Sequence, residues 1–128
     1  MADKTFRTRI KICGLKTVEQ VQHAVDCGAD SIGLVFHQPS PRYVDSSLGL
    51  ELRRAVPAFV TVTALFLNET PELVAQVVSS VKPDCLQFHG TEDNSFCESW
   101  GLPFIKAIPM ASVDDIDAYT ELFPRAQG

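Results

Sequence analysis

Side chains that could do chemistry lie near the ends of three predicted β-strands. Lys11 and Cys13 share one face of the first strand, and Gln87 and His89 share one face of the fourth. Lys106 lies in the fifth, and we expect all three strands to present these groups on the same face. Buried parallel strands are normally apolar, because an unpaired buried polar group costs free energy. The pattern predicts an active site at the carboxyl ends of the strands; a wet edge strand is the alternative.

Cys13 is the candidate base or nucleophile. It ends the first strand, directly before Gly14 and a predicted helix start, with Lys11 about 7 Å away on the same face. A nearby ammonium group and a helix N-terminus both favour the thiolate form. The remaining cysteines are predicted to be packing residues: Cys27, Cys85 and Cys97.

The loop after the second strand carries a candidate anion-binding arginine. Pro39 and Pro41 restrict the backbone of this loop, and Arg42 follows directly. A rigid loop that holds an arginine over a site suits bidentate capture of a carboxylate or a phosphate. A solvent-exposed loop arginine is the commoner case, and the loop by itself leaves both interpretations open.

Strands alternate with helices along the whole chain. Strand-like segments begin near residues 8, 31, 61, 85 and 104, about 24 residues apart on average. This alternation predicts right-handed βαβ units and a parallel sheet. Helix starts are indicated by the Thr17 to Gln20 capping box, by Thr70-Pro71 and by the segment 112–115, and further helices are predicted near 48–56 and 94–100.

The chain length permits two architectures. The 128 residues fit one domain, predicted to span 1–128. A five-stranded doubly wound sheet can close its core at this length, whereas a (β/α)8 barrel needs roughly 200 residues. The sequence is therefore either a complete five-unit domain or about five-eighths of a barrel.

Composition excludes several classes of partner. The 11 basic and 16 acidic residues give a net charge of −5, without a basic cluster, which argues against a nucleic-acid or anionic-membrane partner. Neither a membrane-spanning apolar run nor a signal-peptide pattern is found, so a cytoplasmic location is expected. No Cys-x-x-Cys pair occurs, and the His23 and Cys27 pair has no third ligand, so no metal site is predicted.

Four short motifs follow one another at predicted strand ends. They are Lys11-Ile12-Cys13-Gly14, Gly28-Ala29-Asp30-Ser31-Ile32-Gly33, Ser40-Pro41-Arg42 and Gln87-Phe88-His89-Gly90, and the segments 66–68 and 105–107 fit the same series. From about Arg7 to Ile108 the chain resembles the phosphoribosylanthranilate isomerase family of tryptophan biosynthesis.

The resemblance implies a (β/α)8 TIM barrel, of which this chain would hold about five βα units. It implies an aldose–ketose isomerase that needs no cofactor and performs an Amadori rearrangement of a phosphorylated N-linked aminoaldose to a 1-amino-1-deoxyketose. Cys13 would be the general base that removes the sugar C2 proton, and Arg42 would hold the anthranilate carboxylate. Lys11, Gln87 and His89 would line the substrate pocket.

One part of the family pattern is expected beyond Gly128. The family's general acid is an Asp at the end of the sixth strand, and its phosphate-binding loops follow strands seven and eight. None of Asp114, Asp115 and Asp117 has a strand-end context, so the acid is not assigned to them. An open barrel segment exposes the edges of its first and fifth strands. We therefore predict a marginally stable chain that self-associates and has little or no activity alone.

Two further interpretations remain at this point. The first is a complete doubly wound binding module of the flavodoxin or response-regulator type. It is opposed by Cys13-Gly14 and Leu67-Asn68 where a response regulator needs acidic residues, and by a poor phosphate loop at 14–17. The second is a non-catalytic half-barrel that pairs with another chain, supported only by the open edges.

Overall fold

Five strands and five helices alternate along the chain in a computed structural model that describes residues 6–112 and 115–128. The strands are β1 (Lys11–Cys13), β2 (Ser31–Val35), β3 (Thr61–Phe66), β4 (Cys85–Phe88) and β5 (Phe104–Lys106). The helices are α1 (Val18–Asp26), α2 (Ser46–Arg54), α3 (Pro71–Ser80), α4 (Asn94–Glu98) and α5 (Ile116–Leu122). In the described ranges, no helix is long and apolar enough to cross a bilayer.

The strand order decides between the two architectures. All pairings are parallel, and the sheet runs β1-β2-β3-β4-β5, so each strand lies beside the next one in the chain. A doubly wound sheet must reverse its strand order at a switch point, and this sheet does not reverse. The flavodoxin-like alternative is therefore wrong, and the order is that of a βα barrel.

The two faces of the sheet have different surroundings. The outer face packs against the helices and supplies the core, in which Phe36, Phe66 and Phe88 stack with ring centroids 5.9 Å apart. The inner face carries the alternate strand residues, several of them polar. Lys11 of β1 bonds Gln87 of β4 across this face, although a flat sheet would separate these strands by about 14 Å. The sheet thus curves towards its inner face, as in a barrel.

The fifth strand corrects one prediction. Lys106 is in register with Phe88, and Ile105 is in register with Gln87. Side chains in register share a face, so Lys106 lies on the outer face and is only 5% exposed. The prediction that Lys106 shares a face with Gln87 is wrong. The face on which a side chain lies depends on the register between neighbouring strands, and the position of a residue within its own strand does not determine it.

Helix starts follow the local sequence. The Thr17 hydroxyl accepts a hydrogen bond from the Gln20 N–H at 3.1 Å, and the Gln20 side chain accepts one from the Lys16 N–H at 2.8 Å. Thr70 caps α3 in the same way, with Pro71 as the first helical residue. These starts are confirmed. For the predicted start of the fifth helix at 112–115, positions 113 and 114 lie outside the described residues.

Two aspartates brace the amino ends of the strands. The Asp84 carboxylate accepts a hydrogen bond from the Val62 N–H at 2.9 Å and lies 3.2 Å from an Arg53 nitrogen. The Asp30 carboxylate accepts the Ile10 N–H at 2.8 Å and pairs with Arg7. Each carboxylate joins the start of its own strand to that of the preceding strand.

Each outer strand of the sheet has an edge with distinct surroundings. Beside β1 lies an apolar groove of about 480 Å³, lined in part by Ile10 and Ile12, which are 51% and 40% exposed. Beside β5 the chain runs parallel to the strand, where the Gln127 N–H donates to the Phe104 carbonyl at 2.8 Å and the Gly128 carbonyl accepts at 3.0 Å from the Lys106 N–H.

Candidate active site

Cys13 sits at the carboxyl end of β1 with its thiol over the neighbouring strand. It is half-buried on the inner face and in register with Gly33 of β2. A Cβ atom at position 33 would meet the Cys13 Sγ at 2.7 Å, so only glycine leaves this space for the thiol. The Gly14 N–H donates to the Gly33 carbonyl at 2.9 Å, which fixes the turn after β1.

Arg42 reaches back from the loop after β2 to the same strand end. Its Nη1 donates to the Cys13 carbonyl at 3.1 Å, and its side chain lies across Gly14, where a Cβ would meet the Arg42 Cδ at 2.5 Å. Lys16 supports the loop by donating to the Pro41 carbonyl at 3.1 Å. Arg42 is exposed, so further guanidinium donors face solvent, where they can bind a carboxylate.

Lys11 and Gln87 meet on the inner face. The Lys11 Nζ donates to the Gln87 Oε1, linking two strands that are not neighbours in the sheet. Lys11 lies one inner-face position before Cys13 on β1. The bond gives both polar side chains a partner and forms a polar floor beneath the Cys13 end of the sheet.

His89 directly follows the carboxyl end of β4. Its N–H donates to the Phe66 carbonyl at 2.9 Å, and the residue is exposed. Within residues 6–112 and 115–128, no hydrogen bond joins the His89 side chain to Cys13, Arg42, Lys11 or Gln87. The structure thus groups Cys13 with Arg42 and Lys11 with Gln87.

Two contacts between polar side chains at this end of the sheet were missed by the sequence analysis. His37 Nδ1 and Glu69 Oε1 lie 2.6 Å apart and connect the loops after β2 and β3. Glu92, in the loop after β4, lies 3.5 Å from the Lys106 Nζ, and both side chains are nearly inaccessible. A lysine in a buried strand needs a partner, and that requirement was a signal for Glu92.

A comparison with known protein families identifies the family of this chain. The family model described as N-(5'phosphoribosyl)anthranilate (PRA) isomerase matches residues 10–127. The chain belongs to this family. The match covers every strand and helix, including both ends of the Cys13 and Arg42 contact.

Curated relatives support the same assignment. The chain is 43% identical over 123 residues to N-(5'-phosphoribosyl)anthranilate isomerase of Dechloromonas aromatica, covering 96% of this chain and 59% of that protein. It is 40% identical over 126 residues to the Hahella chejuensis isomerase, covering 98% of this chain and 59% of that protein. The chain thus spans about three fifths of the length of these curated relatives.

Solved structures confirm the barrel fold. The Thermotoga maritima phosphoribosyl anthranilate isomerase matches with a TM-score of 0.76 and 34% identity, covering 80% of this chain and 51% of that one. The Thermus thermophilus enzyme matches with a TM-score of 0.82 and 26% identity, covering 90% and 58%. A further isomerase structure, with a TM-score of 0.76 and 34% identity, covers 80% and 54%; it holds reduced 1-(o-carboxyphenylamino)-1-deoxyribulose 5-phosphate.

The other cysteines of this isomerase-family chain differ in their surroundings. Cys97 is buried, and burial raises the pKa of its thiol to about 12. Cys85 is half-buried on the inner face, and burial raises its pKa as well. Cys27 is exposed, 3.7 Å from the His23 Nε2, so its prediction as a packing residue is wrong. Cys27 is the C-terminal cap of α1, and the apolar periodicity of the helix does not predict burial at a cap position. In the described ranges, no group of three metal-ligating side chains occurs.

The acidic residues near the fifth helix have structural places. Asp115 caps α5 by accepting a hydrogen bond from the Ala118 N–H at 3.2 Å, and Asp117 lies in the first turn of that helix. Asp114 lies outside the described residues. The helix-start interpretation is therefore confirmed for Asp115 and Asp117.

Proposed function

We propose that this chain supplies the base and the carboxylate-binding part of an N-(5'-phosphoribosyl)anthranilate isomerase active site. The observation that carries the proposal is the contact of Arg42 with the carbonyl of Cys13 across Gly14. This contact places the Arg42 guanidinium group beside the half-exposed Cys13 thiol at the carboxyl end of β1. Barrel enzymes hold their catalytic groups at this end of their strands. Family membership supports the reaction class.

In the proposed reaction, Arg42 holds the anthranilate carboxylate and Cys13 works on the sugar. The carboxylate and the sugar C2 are only a few bonds apart, so binding one at Arg42 brings the other towards the thiol. The Cys13 thiolate takes the C2 proton of the open-chain iminium ion. The C2–H electron pair forms a C1–C2 double bond, while the π pair of the C1–N double bond moves onto the nitrogen and neutralises it. The resulting enolamine tautomerises to the 1-amino-1-deoxyketose. No cofactor takes part in this proton transfer.

Lys11, Gln87 and His89 are proposed to line the pocket. The Lys11–Gln87 bond supports a polar floor under the sugar, and both groups retain donors that can bind hydroxyl groups. His89 is exposed at the rim, where it can contact substrate without contacting Cys13.

The general acid is proposed to come from outside residues 1–128. In the part of the chain that the structure describes, the carboxylates that follow the strands are engaged in holding the fold. Glu69 pairs with His37, Glu92 with Lys106, and Asp45 and Asp93 cap helices. The curated relatives are longer than this chain, which supports an acid and a phosphate site beyond it.

The decisive experiment uses a chimera of residues 1–128 and the part of the Dechloromonas aromatica isomerase that lies beyond the matched region. Consumption of phosphoribosylanthranilate, generated in situ, is measured for the chimera and for the 128-residue chain alone. We expect turnover by the chimera and little by the chain. Turnover by the chain that Cys13→Ala abolishes would place an acid within residues 1–128 and overturn that part of the proposal.

Matched variants test the two residue roles. Cys13→Ser in the chimera should lower kcat by roughly 10²- to 10⁴-fold, the usual contribution of a general base, whereas Cys27→Ser, at an exposed cysteine, should not. Wild-type kinetics in Cys13→Ser would refute the assignment of the base.

Arg42→Gln should raise KM by roughly 10-fold or more, as expected when a charge-assisted hydrogen bond is lost, while Arg54→Gln should leave KM unchanged.

The proposed partner is therefore a small phosphorylated sugar–anthranilate conjugate. The relative that holds a reduced deoxyribulose 5-phosphate derivative supports this substrate class. Self-association of the 128-residue chain through its sheet edges is proposed as well, supported by the apolar groove beside β1. The cytoplasmic location and the single-domain extent stay predictions.

A further inference from the structure

Glu92 is a buried carboxylate at the catalytic end of the sheet that the proposed reaction does not use. Only 8% of the residue is exposed. One oxygen, Oε1, accepts a hydrogen bond from the Gly90 N–H at 2.8 Å, and the other, Oε2, accepts one from the Asn68 N–H at 2.8 Å. A single side chain thus bridges the loop after β4 and the loop after β3.

Lys106 joins β5 to the same point. Its side chain is 2% exposed, and its Nζ lies 3.5 Å from the Glu92 Oε1 and donates to the Gly90 carbonyl. The ammonium group also lies over the Phe123 ring, 5.6 Å from its centroid. Both charges are therefore out of water and satisfied by each other and by backbone groups, which a buried ion pair requires.

The two loops approach each other closely around this pair. The Asn68 Oδ1 accepts hydrogen bonds from the Thr91 N–H at 2.7 Å and from the Thr91 hydroxyl at 3.1 Å. A Cβ at position 90 would overlap the Asn68 side chain, so glycine at this position permits the close approach. Asn68 has a φ of 52°, in the left-handed region that asparagine adopts more readily than most residues.

The loops held in this way carry candidate site residues. His89 directly precedes Gly90, and Glu69 directly follows Asn68. Glu69 pairs with His37, which begins the loop that ends in Arg42. Contacts therefore connect the buried pair to His89 on one side of the proposed pocket and to the loop of Arg42 on the other.

We propose that Glu92 and Lys106 are positioning residues, a buried pair that fixes the carboxyl ends of β3, β4 and β5 relative to one another. Glu92 and Lys106 are only 8% and 5% exposed, so both act through the backbone groups of Asn68 and Gly90 that they bind. The catalytic consequence of this role rests on the proposed function, whereas the tether between the loops does not.

The test compares Glu92→Gln with Asp84→Asn. Both carboxylates accept a backbone N–H and pair with a cation, but Asp84 lies at the amino ends of the strands. In the 128-residue chain, Glu92→Gln should speed hydrogen exchange at the Asn68 and Gly90 amides and not at Val62, and Asp84→Asn should do the reverse. In the chimera, Glu92→Gln should lower kcat by roughly 100-fold, the effect of a misplacement of about 1 Å, and Asp84→Asn should not.

A double variant separates positioning from stability. Glu92→Gln leaves a buried ammonium group without its partner, so it lowers the unfolding midpoint. Adding Lys106→Met removes that charge and should restore the midpoint while kcat stays low.

Three outcomes would each overturn the inference: recovery of kcat along with the midpoint, an equal loss of kcat in Asp84→Asn, or unchanged hydrogen exchange at Asn68 and Gly90. An inactive wild-type chimera would refute the proposed function instead, and exchange alone would then decide the inference.

Discussion

At the scale of single residues, the site depends on a missing side chain as much as on the reactive one. The Cys13 thiol occupies the space above Gly33, where a Cβ would lie 2.7 Å from the Sγ and 3.1 Å from the Cys13 Cα. The second of these atoms belongs to the backbone of a paired strand, which cannot move away easily. The absence of a side chain at position 33 therefore leaves room for the thiol on the inner face.

We predict that Gly33→Ala displaces the thiol towards solvent. The added methyl group should cost about 1–3 kcal/mol of unfolding free energy, as overpacking does, and should speed alkylation of Cys13 by iodoacetamide. Mass spectrometry follows Cys13 against Cys27, the exposed internal reference. Gly101→Ala is the control: position 101 has a φ of 66° and open space around it, so stability falls but alkylation does not change. An unchanged Cys13 rate in Gly33→Ala would contradict the prediction.

The sequence indicated the positions of Cys13 and Arg42 better than the positions of the residues that support them. Cys13 and Arg42 stand in motifs whose spacing carries over to the structure, and their proximity is observed. Glu92 and the true face of Lys106 were missed, because both depend on the register of β4 against β5. Register is set by packing between distant segments and leaves no trace in a single strand.

At the scale of elements, an aspartate at the start of β2 joins that strand to the segment that leads into β1. The Arg7 guanidinium, and next the Ile10 N–H, hold the pKa of Asp30 down, at about 2 in place of 3.8. The carboxylate therefore stays ionised in the folded chain at pH values where the unfolded chain binds a proton. Its contribution to stability is present above pH 3.8 and is lost as the pH falls through about 2.

We predict that Asp30→Asn makes the free energy of unfolding fall less steeply as the pH is lowered below 3.8. Urea unfolding at several pH values between 5 and 2 measures the effect, with the wild-type chain beside the variant. Carboxylates elsewhere titrate alike in both proteins, so the difference between the two curves isolates Asp30. The curves should converge as the pH falls below 3.8, and parallel curves throughout would show that Asp30 is not linked to stability in this way.

The elements themselves were largely readable in the sequence. The Thr17 capping box and the Thr70-Pro71 start place α1 and α3 where the structure has them. Helix α2 begins at Ser46, earlier than expected, because Asp45 caps it, and α4 ends at Glu98, short of its predicted end. The strand order was not readable, since alternation of strands and helices is common to doubly wound sheets and barrels.

At the scale of the whole molecule, the edge of β1 is the feature most exposed to association. We predict that the 128-residue chain forms dimers or larger species, which sedimentation velocity at two concentrations detects. Ile12→Lys places a charge in the groove beside β1 and should shift the chain towards monomer, as charged edge strands do. Phe59→Lys is the control, because Phe59 is fully exposed and does not line this groove. A wild-type chain that stays monomeric at both concentrations would contradict the prediction.

The agreement between strand order and chain order has a consequence for how this protein is made. Each strand pairs with the strand synthesised just before it, so Ser31 meets Lys11, Cys85 meets Thr63 and Phe104 meets Leu86. As a nascent chain leaves the ribosome, each strand from β2 onwards therefore finds the strand before it already translated. Short sequence separations also favour fast folding. The sheet can therefore assemble one strand at a time from β1 to β5, and Gln127 and Gly128 then hydrogen-bond the edge of β5.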